Sequence, residues 1–160
     1  MNNKAAMAAV APVARVPRPA ARLLLIDPQD RLLLFRFVAN DRSPFWCTAG
    51  GAVDPGESYP DAARRELREE TGLDLDPGEE VARRHVDFIS LEGVPVTADE
   101  RYFLIRAPHD RIETHGHTEL ERRVMQEWRW FTRTELGGWP ERIFPNDIVV
   151  MLDRLMEPAP

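Results

Sequence analysis

Apolar residues recur along this chain in short runs separated by charged or turn-forming residues, and the period of each run indicates its element. Residues 20–27 and 31–38 are nearly continuous apolar runs joined by Pro28, Gln29 and Asp30, which predicts a β-hairpin. Residues 46–49 read as a third short strand that ends in a sharp turn at Gly50 and Gly51. Strands are expected again over 80–91, 100–107 and 127–132. Residues 110–123 are polar and read as a loop with some helix; a short helix can open at Thr134, and an amphipathic helix is expected over 146–156. The alternation of strands and helices without a repeat or interdomain linker predicts one α/β domain built on a mixed sheet.

The clearest helical pattern spans 58–72. Ser58 followed by Asp61 resembles a capping box, Pro60 suits a first turn, and Gly72 ends the run. At about 100° per residue, Glu66, Glu69 and Glu70 share one stripe with Ala62, Ala63 and Leu73, whereas Asp61, Arg64 and Arg68 face the other way. Three carboxylates therefore occupy the face that should pack on the sheet. Like charges three and four residues apart repel, and partial burial raises the cost. A divalent cation relieves both penalties.

Composition narrows the class. With 160 residues, 43% hydrophobic and 30% charged, the chain fits a globular domain, expected over 20–160. Residues 1–19, rich in Ala and Pro, read as a flexible arm rather than an export signal, because Pro12 interrupts the apolar run. The formal net charge of −6 weighs against a stable nucleic-acid partner, and no apolar stretch approaches the ~18 residues of a membrane span. The single cysteine, Cys47, excludes an internal disulfide; it reads as a buried thiol, with a reducing cytoplasm as the simplest compartment.

The acidic helix lies within a longer constellation. From Gly51, five residues intervene before Glu57 and seven more before Arg65; Glu66, Leu67, Arg68, Glu69, Glu70, Thr71, Gly72 and Leu73 then follow. This resembles the Nudix hydrolase signature, G-x5-E-x7-R-E-U-x-E-E-x-G-U with U aliphatic, at every fixed position. The resemblance implies a Nudix-type α/β/α sandwich with a mixed β-sheet. It also implies a metal site of Glu66, Glu69 and Glu70 with the backbone carbonyl of Gly51. Hard carboxylate oxygens suit Mg²⁺, with Mn²⁺ as the alternative, and such ions clamp a diphosphate and acidify water for in-line attack on phosphorus. The general base stays open among these acids and one from a later loop. Glu57 and Arg65 are expected to support catalysis by pairing loop to helix. Ala49 departs from the family's proline before the two glycines, which loosens the turn but removes no chemical group.

Glu127 resembles the family's distal acid, a further metal ligand or base. Its alternative is a strand-edge carboxylate facing water, and Glu119 and Glu121 compete for the same role. Trp128 and Trp130 read as sheet-packing residues. The family implies a small-molecule nucleotide substrate and admits a homodimer. The proline that marks ADP-ribose hydrolases would fall at Phe88 or Ile89, and the tyrosine of diadenosine polyphosphate hydrolases near Leu91. Phe144, Pro145 and Asn146 resemble the segment of MutT-like nucleoside triphosphate pyrophosphatases whose asparagine contacts the purine; the competing reading of Asn146 is a helix N-cap. The expectation is therefore nucleoside triphosphate pyrophosphatase activity. The alternative is a nucleotide-sugar or dinucleotide (ADP-ribose-like) hydrolase, and the rival is a non-catalytic nucleotide-binding module, against which the intact box glutamates count. The acidic balance counts against messenger-RNA decapping.

Overall fold

A computed structural model describes residues 14–157. The strands are β1 (Val16–Ile26), β2 (Leu32–Ala39), β3 (Arg42–Ala52), β4 (Glu80–Ile89), β5 (Pro95–Arg106), β6 (Met125–Phe131) and β7 (Arg142–Phe144). The helices are α1 (Tyr59–Thr71), α2 (Glu119–Val124), α3 (Arg133–Gly138) and α4 (Ile148–Met156). The strands form one mixed sheet in the order β4-β5-β1-β2-β3-β7, with β6 on the free side of β2.

The β1–β2 turn is held by its own side chain. Asp27 is buried, and its carboxylate accepts from the backbone N–H of Gln29 at 3.0 Å and of Arg31 at 2.8 Å. Beyond the Ile26↔Leu32 pair the two strands separate, and β3 bridges them: Ala49–Ala52 register with β1, and Phe45–Thr48 with β2. This crossing carries Gly50 and Gly51 into the middle of the sheet.

Two expectations change here. The third strand does not stop at the glycine pair but runs through it. Gly50 has φ +125°, and a Cβ there would sit 2.1 Å from the Ala21 carbonyl oxygen, so only a glycine lets β1 approach so closely. Part of the stretch expected as an arm over 1–19 is strand instead: Val16–Pro19 belong to β1 and register with Val96–Asp99 of β5. Both prolines are tolerated because the Pro19 carbonyl points to the β3 side, where it meets the Val53 N–H at 2.9 Å; the missing N–H groups face that side, away from β5. The rest of the expected arm, 1–13, lies outside the described residues.

Alternating residues feed two cores, one on each face of the sheet. Leu23, Leu25, Phe35 and Phe103 pack with Leu67 of α1. Leu24, Leu34, Trp46 and Phe131 pack with Ile148 and Leu152 of α4. The result is an α/β/α sandwich whose box helix lies against the glycine-bearing part of β3. No helix among the described residues is long and apolar enough to cross a membrane.

Candidate active site

The site is built around α1. Ser58 caps its start by accepting from the Asp61 N–H at 3.2 Å, and Gly72 ends it in the left-handed region at φ 78°. Ala62, Ala63 and Leu67 pack on the sheet, which obliges Glu66 and Glu70 on the same face to be buried as well. Glu69 is half-buried at the rim, while Arg64 and Arg68 face solvent. The Glu70 carboxylate accepts from the Gly50 N–H at 2.7 Å, so the glycine crossing in β3 supplies one of its few donors. Gly51 is equally constrained: a Cβ there would lie 2.5 Å from Glu66 Oε1.

Arg65 ties the preceding loop to the helix. It donates to both oxygens of Glu57, at 2.8 and 2.9 Å, and to the Ala52 carbonyl at 3.0 Å. Its Nη1 reaches Glu66 at 3.0 Å and Glu69 at 3.2 Å. Glu57 in turn accepts from the Asp54 N–H at 3.0 Å. The Glu57–Arg65 pair thus orients the carboxylates from beside them.

The third acid comes from α2. Residues 113–117 dock on the last turn of α1: the Glu113 N–H donates to the Thr71 carbonyl at 2.9 Å, and buried His117 donates from Nε2 to the Glu70 carbonyl at 3.0 Å. Gly116 lies so close that a Cβ would be 2.5 Å from the Glu69 carbonyl oxygen. Thr118 then caps α2 in a reciprocal box with Glu121, whose Oε1 accepts from the Thr118 N–H at 2.9 Å. With its carboxylate so oriented, Glu121 meets Glu66 and Glu70, the three ligand oxygens all lying within 4.8 Å of one another.

Glu127 is not brought to this cluster. In β6, Trp128 and Trp130 register with Phe35 and Leu33 and share their α1-side face, so strand alternation turns Glu127 to the opposite face. There it pairs with Arg36 at 3.3 Å and is 59% exposed. Glu119 is exposed. Of the three candidates, Glu121 is therefore the acid that the fold brings to Glu66 and Glu70, and the signal that marks it is local: Thr118-x-x-Glu121 is a capping-box spacing that pins the acid's carboxylate. Trp130 is buried and donates to the Asp110 carbonyl at 2.9 Å, whereas Trp128 is exposed. Asn146 precedes the N-cap of α4, which is Asp147, and lies on the cleft wall.

Charge in the cluster is strained. Burial pushes Glu66 up to about 7 against the pull of Arg65. Burial, then the neighbouring Glu66, also push Glu70 well above the usual glutamate range, against the Gly50 hydrogen bond. Crowded carboxylates that hold protons this strongly suit a cation in the protons' place, and their hard oxygens fit a magnesium-like ion.

The cluster lines a cleft of about 1320 Å³. Elsewhere its wall is aromatic: Phe37 stacks on Phe45 at 5.1 Å, and Phe144 meets Phe45 edge-on at 5.5 Å. Acids that can hold a cation and a flat apolar surface thus share one cavity.

The family model of the NUDIX domain matches residues 16–153. The dihydroneopterin triphosphate diphosphatase of Escherichia coli K12 is 36% identical over 58 residues, which cover 36% of this chain and 39% of that protein. The nucleoside triphosphatase NudI of Escherichia coli O17:K52:H18 is 29% identical over 115 residues, covering 70% of this chain and 80% of its own. The match to the first of these thus spans about two fifths of that relative's length. Among solved structures, a MutT protein from Methanosarcina mazei Go1 superposes with a TM-score of 0.66 at 22% identity, covering 91% of this chain and 99% of that one; it shares the fold.

Proposed function

The chain belongs to the Nudix family, and on that premise we propose that it is a Mg²⁺-dependent hydrolase, with Mn²⁺ as an alternative ion. It cleaves a phosphoanhydride bond in a nucleoside diphosphate-linked substrate, foremost a nucleoside triphosphate. The observation that carries this reading is the convergence of Glu66, Glu70 and Glu121 in a cleft that also has an aromatic wall.

Glu66, Glu70 and Glu121 would hold the ion, with Glu69 and the Gly51 carbonyl beside them. When bound, the ion neutralises phosphate charge and acidifies water. The protein's own groups prepare that geometry. The Gly50 N–H fixes one Glu70 oxygen, Arg65 holds Glu66 and Glu69, and the Thr118 N–H orients Glu121. The stacked Phe37 and Phe45 offer a flat surface for a base, and the Asn146 amide can donate to and accept from its edge. The triphosphate substrates in the names of two relatives, dihydroneopterin triphosphate diphosphatase and nucleoside triphosphatase NudI, support the same class.

A substrate panel decides it. Nucleoside triphosphates, nucleotide sugars and dinucleotides are incubated with Mg²⁺ and scored for phosphate, pyrophosphate and mononucleotide. A triphosphate should give mononucleotide and pyrophosphate, with turnover lost in EDTA and in Glu70→Gln. Full activity in chelator, or an unaffected Glu70→Gln, would overturn the proposal.

A further inference from the structure

Arginines on the cleft wall are mostly neutralised within the fold. Arg22 pairs with Glu100 at 3.1 Å, Arg42 with Asp41 at 2.7 Å, Arg65 with Glu57 at 2.8 Å, and Arg84 with Asp147. Arg18 is different. It projects from β1 into the same wall and is half-buried. Its Nη1 is shut off from solvent and has no hydrogen-bond partner among the described residues. The Phe88 ring, with its centroid 5.8 Å from the guanidinium carbon, offers a π face rather than a counter-charge.

A guanidinium placed this way is costly to the free protein. Removing part of it from water without a carboxylate in exchange destabilises the folded state, and an apolar side chain of similar length would be as good or better there. Burial, and then the like charge of Arg22, lower its proton affinity against the opposing fields of Glu100, Glu92 and Glu66, and its Nη1 hydrogen-bonds none of these carboxylates. The backbone does not demand an arginine either, because β1 pairs with β5 here through the main chain, Arg18 opposite Ala98. What the position does offer is a cation in the same cleft as the acid cluster, near enough for Glu66 to act on it electrostatically. An anion reaching from a cation at Glu66 towards β1 would supply the counter-charge that Arg18 lacks.

We propose that Arg18 is a substrate-binding residue that recognises phosphoryl oxygens of the polyphosphate chain. The assignment rests on the hydrolase reading above for its ligand class, and it makes Arg18 a determinant of how many phosphates the substrate carries. A diphosphate unit would bridge the acid cluster, through its cation, and Arg18; a monophosphate would engage the first and leave the second unpaired.

The test uses inorganic pyrophosphate and inorganic phosphate as probes in saturating Mg²⁺, titrated calorimetrically into wild type, Arg18→Met and Arg18→Lys. Arg18→Met preserves the stem and removes the charge, so its ligand-free melting temperature should equal or exceed that of wild type. Its dissociation constant for pyrophosphate should rise about tenfold or more, Arg18→Lys should fall between the two, and phosphate should discriminate little among the three. Equal pyrophosphate affinity in wild type and Arg18→Met, or no pyrophosphate binding by wild type, overturns the assignment. So does a ligand-free Arg18→Met that melts several degrees lower, since the guanidinium would then serve the fold. The hydrolase reading fails separately, if Glu70→Gln keeps full turnover on the substrate panel.

Discussion

Replacing Glu121 by Gln should have opposite effects on the metal-free and the metal-loaded protein. The three carboxylate oxygens lie within 4.8 Å of one another, and two full charges at that distance repel by about 3 kcal/mol at an effective dielectric of about 20. Proton uptake by Glu66 and Glu70 already removes part of this in the metal-free state. Glu121→Gln should therefore stabilise the metal-free protein by about 1–2 kcal/mol, a rise of roughly 2–8 °C for a domain of this size. Mg²⁺ at about 100 times its dissociation constant should add ~2.7 kcal/mol to wild type by linkage. The variant should lose most of that increment, and kcat should fall by about 10²-fold. Glu127→Gln is the control: its exposed pair with Arg36 is worth at most about 1 kcal/mol, and neither the Mg²⁺ increment nor kcat should move. The assay is thermal unfolding of wild type and both variants with Mg²⁺ or EDTA, beside kcat at saturating substrate. If Glu127→Gln loses the Mg²⁺ increment while Glu121→Gln keeps it, the assignment of the distal acid to α2 is wrong.

Two further consequences are open to measurement. The folded protein raises Glu66 to about 7 from its ordinary 4.5, so between those values it binds protons that the unfolded chain has released, and this group's contribution to stability falls as pH rises. In EDTA, the melting temperature of wild type relative to Glu66→Gln should drop between about pH 5 and about pH 7.5, and saturating Mg²⁺ should flatten the difference; a constant difference in EDTA would refute the shift. Gly116→Ala should destabilise by about 1–3 kcal/mol and lower kcat, because its methyl meets the Glu69 backbone at 2.5 Å and would lift the segment that carries Glu121. Wild-type unfolding and kinetics for Gly116→Ala would show that this close approach relaxes without cost.

The box helix was legible because its determinants are local. A 3.6-residue period, a Ser58 cap and a Gly72 stop fix which side of α1 meets the sheet, so burial of Glu66 and Glu70 with Arg64 and Arg68 outward follows from neighbours along the chain. The turn between β1 and β2 was legible for the same reason, since Asp27 hydrogen-bonds residues two and four positions on, although the two strands pair only at Ile26 and Leu32. The course of β3 through Gly50 and Gly51 was not, because those glycines answer to β1, a strand some thirty residues earlier, rather than to a turn of their own. Val16–Pro19 likewise became strand because β5 supplies partners about eighty residues away.

The distal acid shows the division most clearly. Sequence alone determined that acids stood on both sides of residue 125, and that Glu127 precedes a strand-like run. Which of them reaches the box depends on the face β6 presents when it pairs with β2, since moving one residue along a strand reverses a side chain's direction. It depends equally on how residues 113–117 dock on the end of α1 through the Thr71 and Glu70 carbonyls and the bare Cα of Gly116. Those contacts join segments far apart in the chain, so no local period encodes them; the tertiary structure turns Glu127 to Arg36 and solvent and brings Glu121 to Glu66 and Glu70.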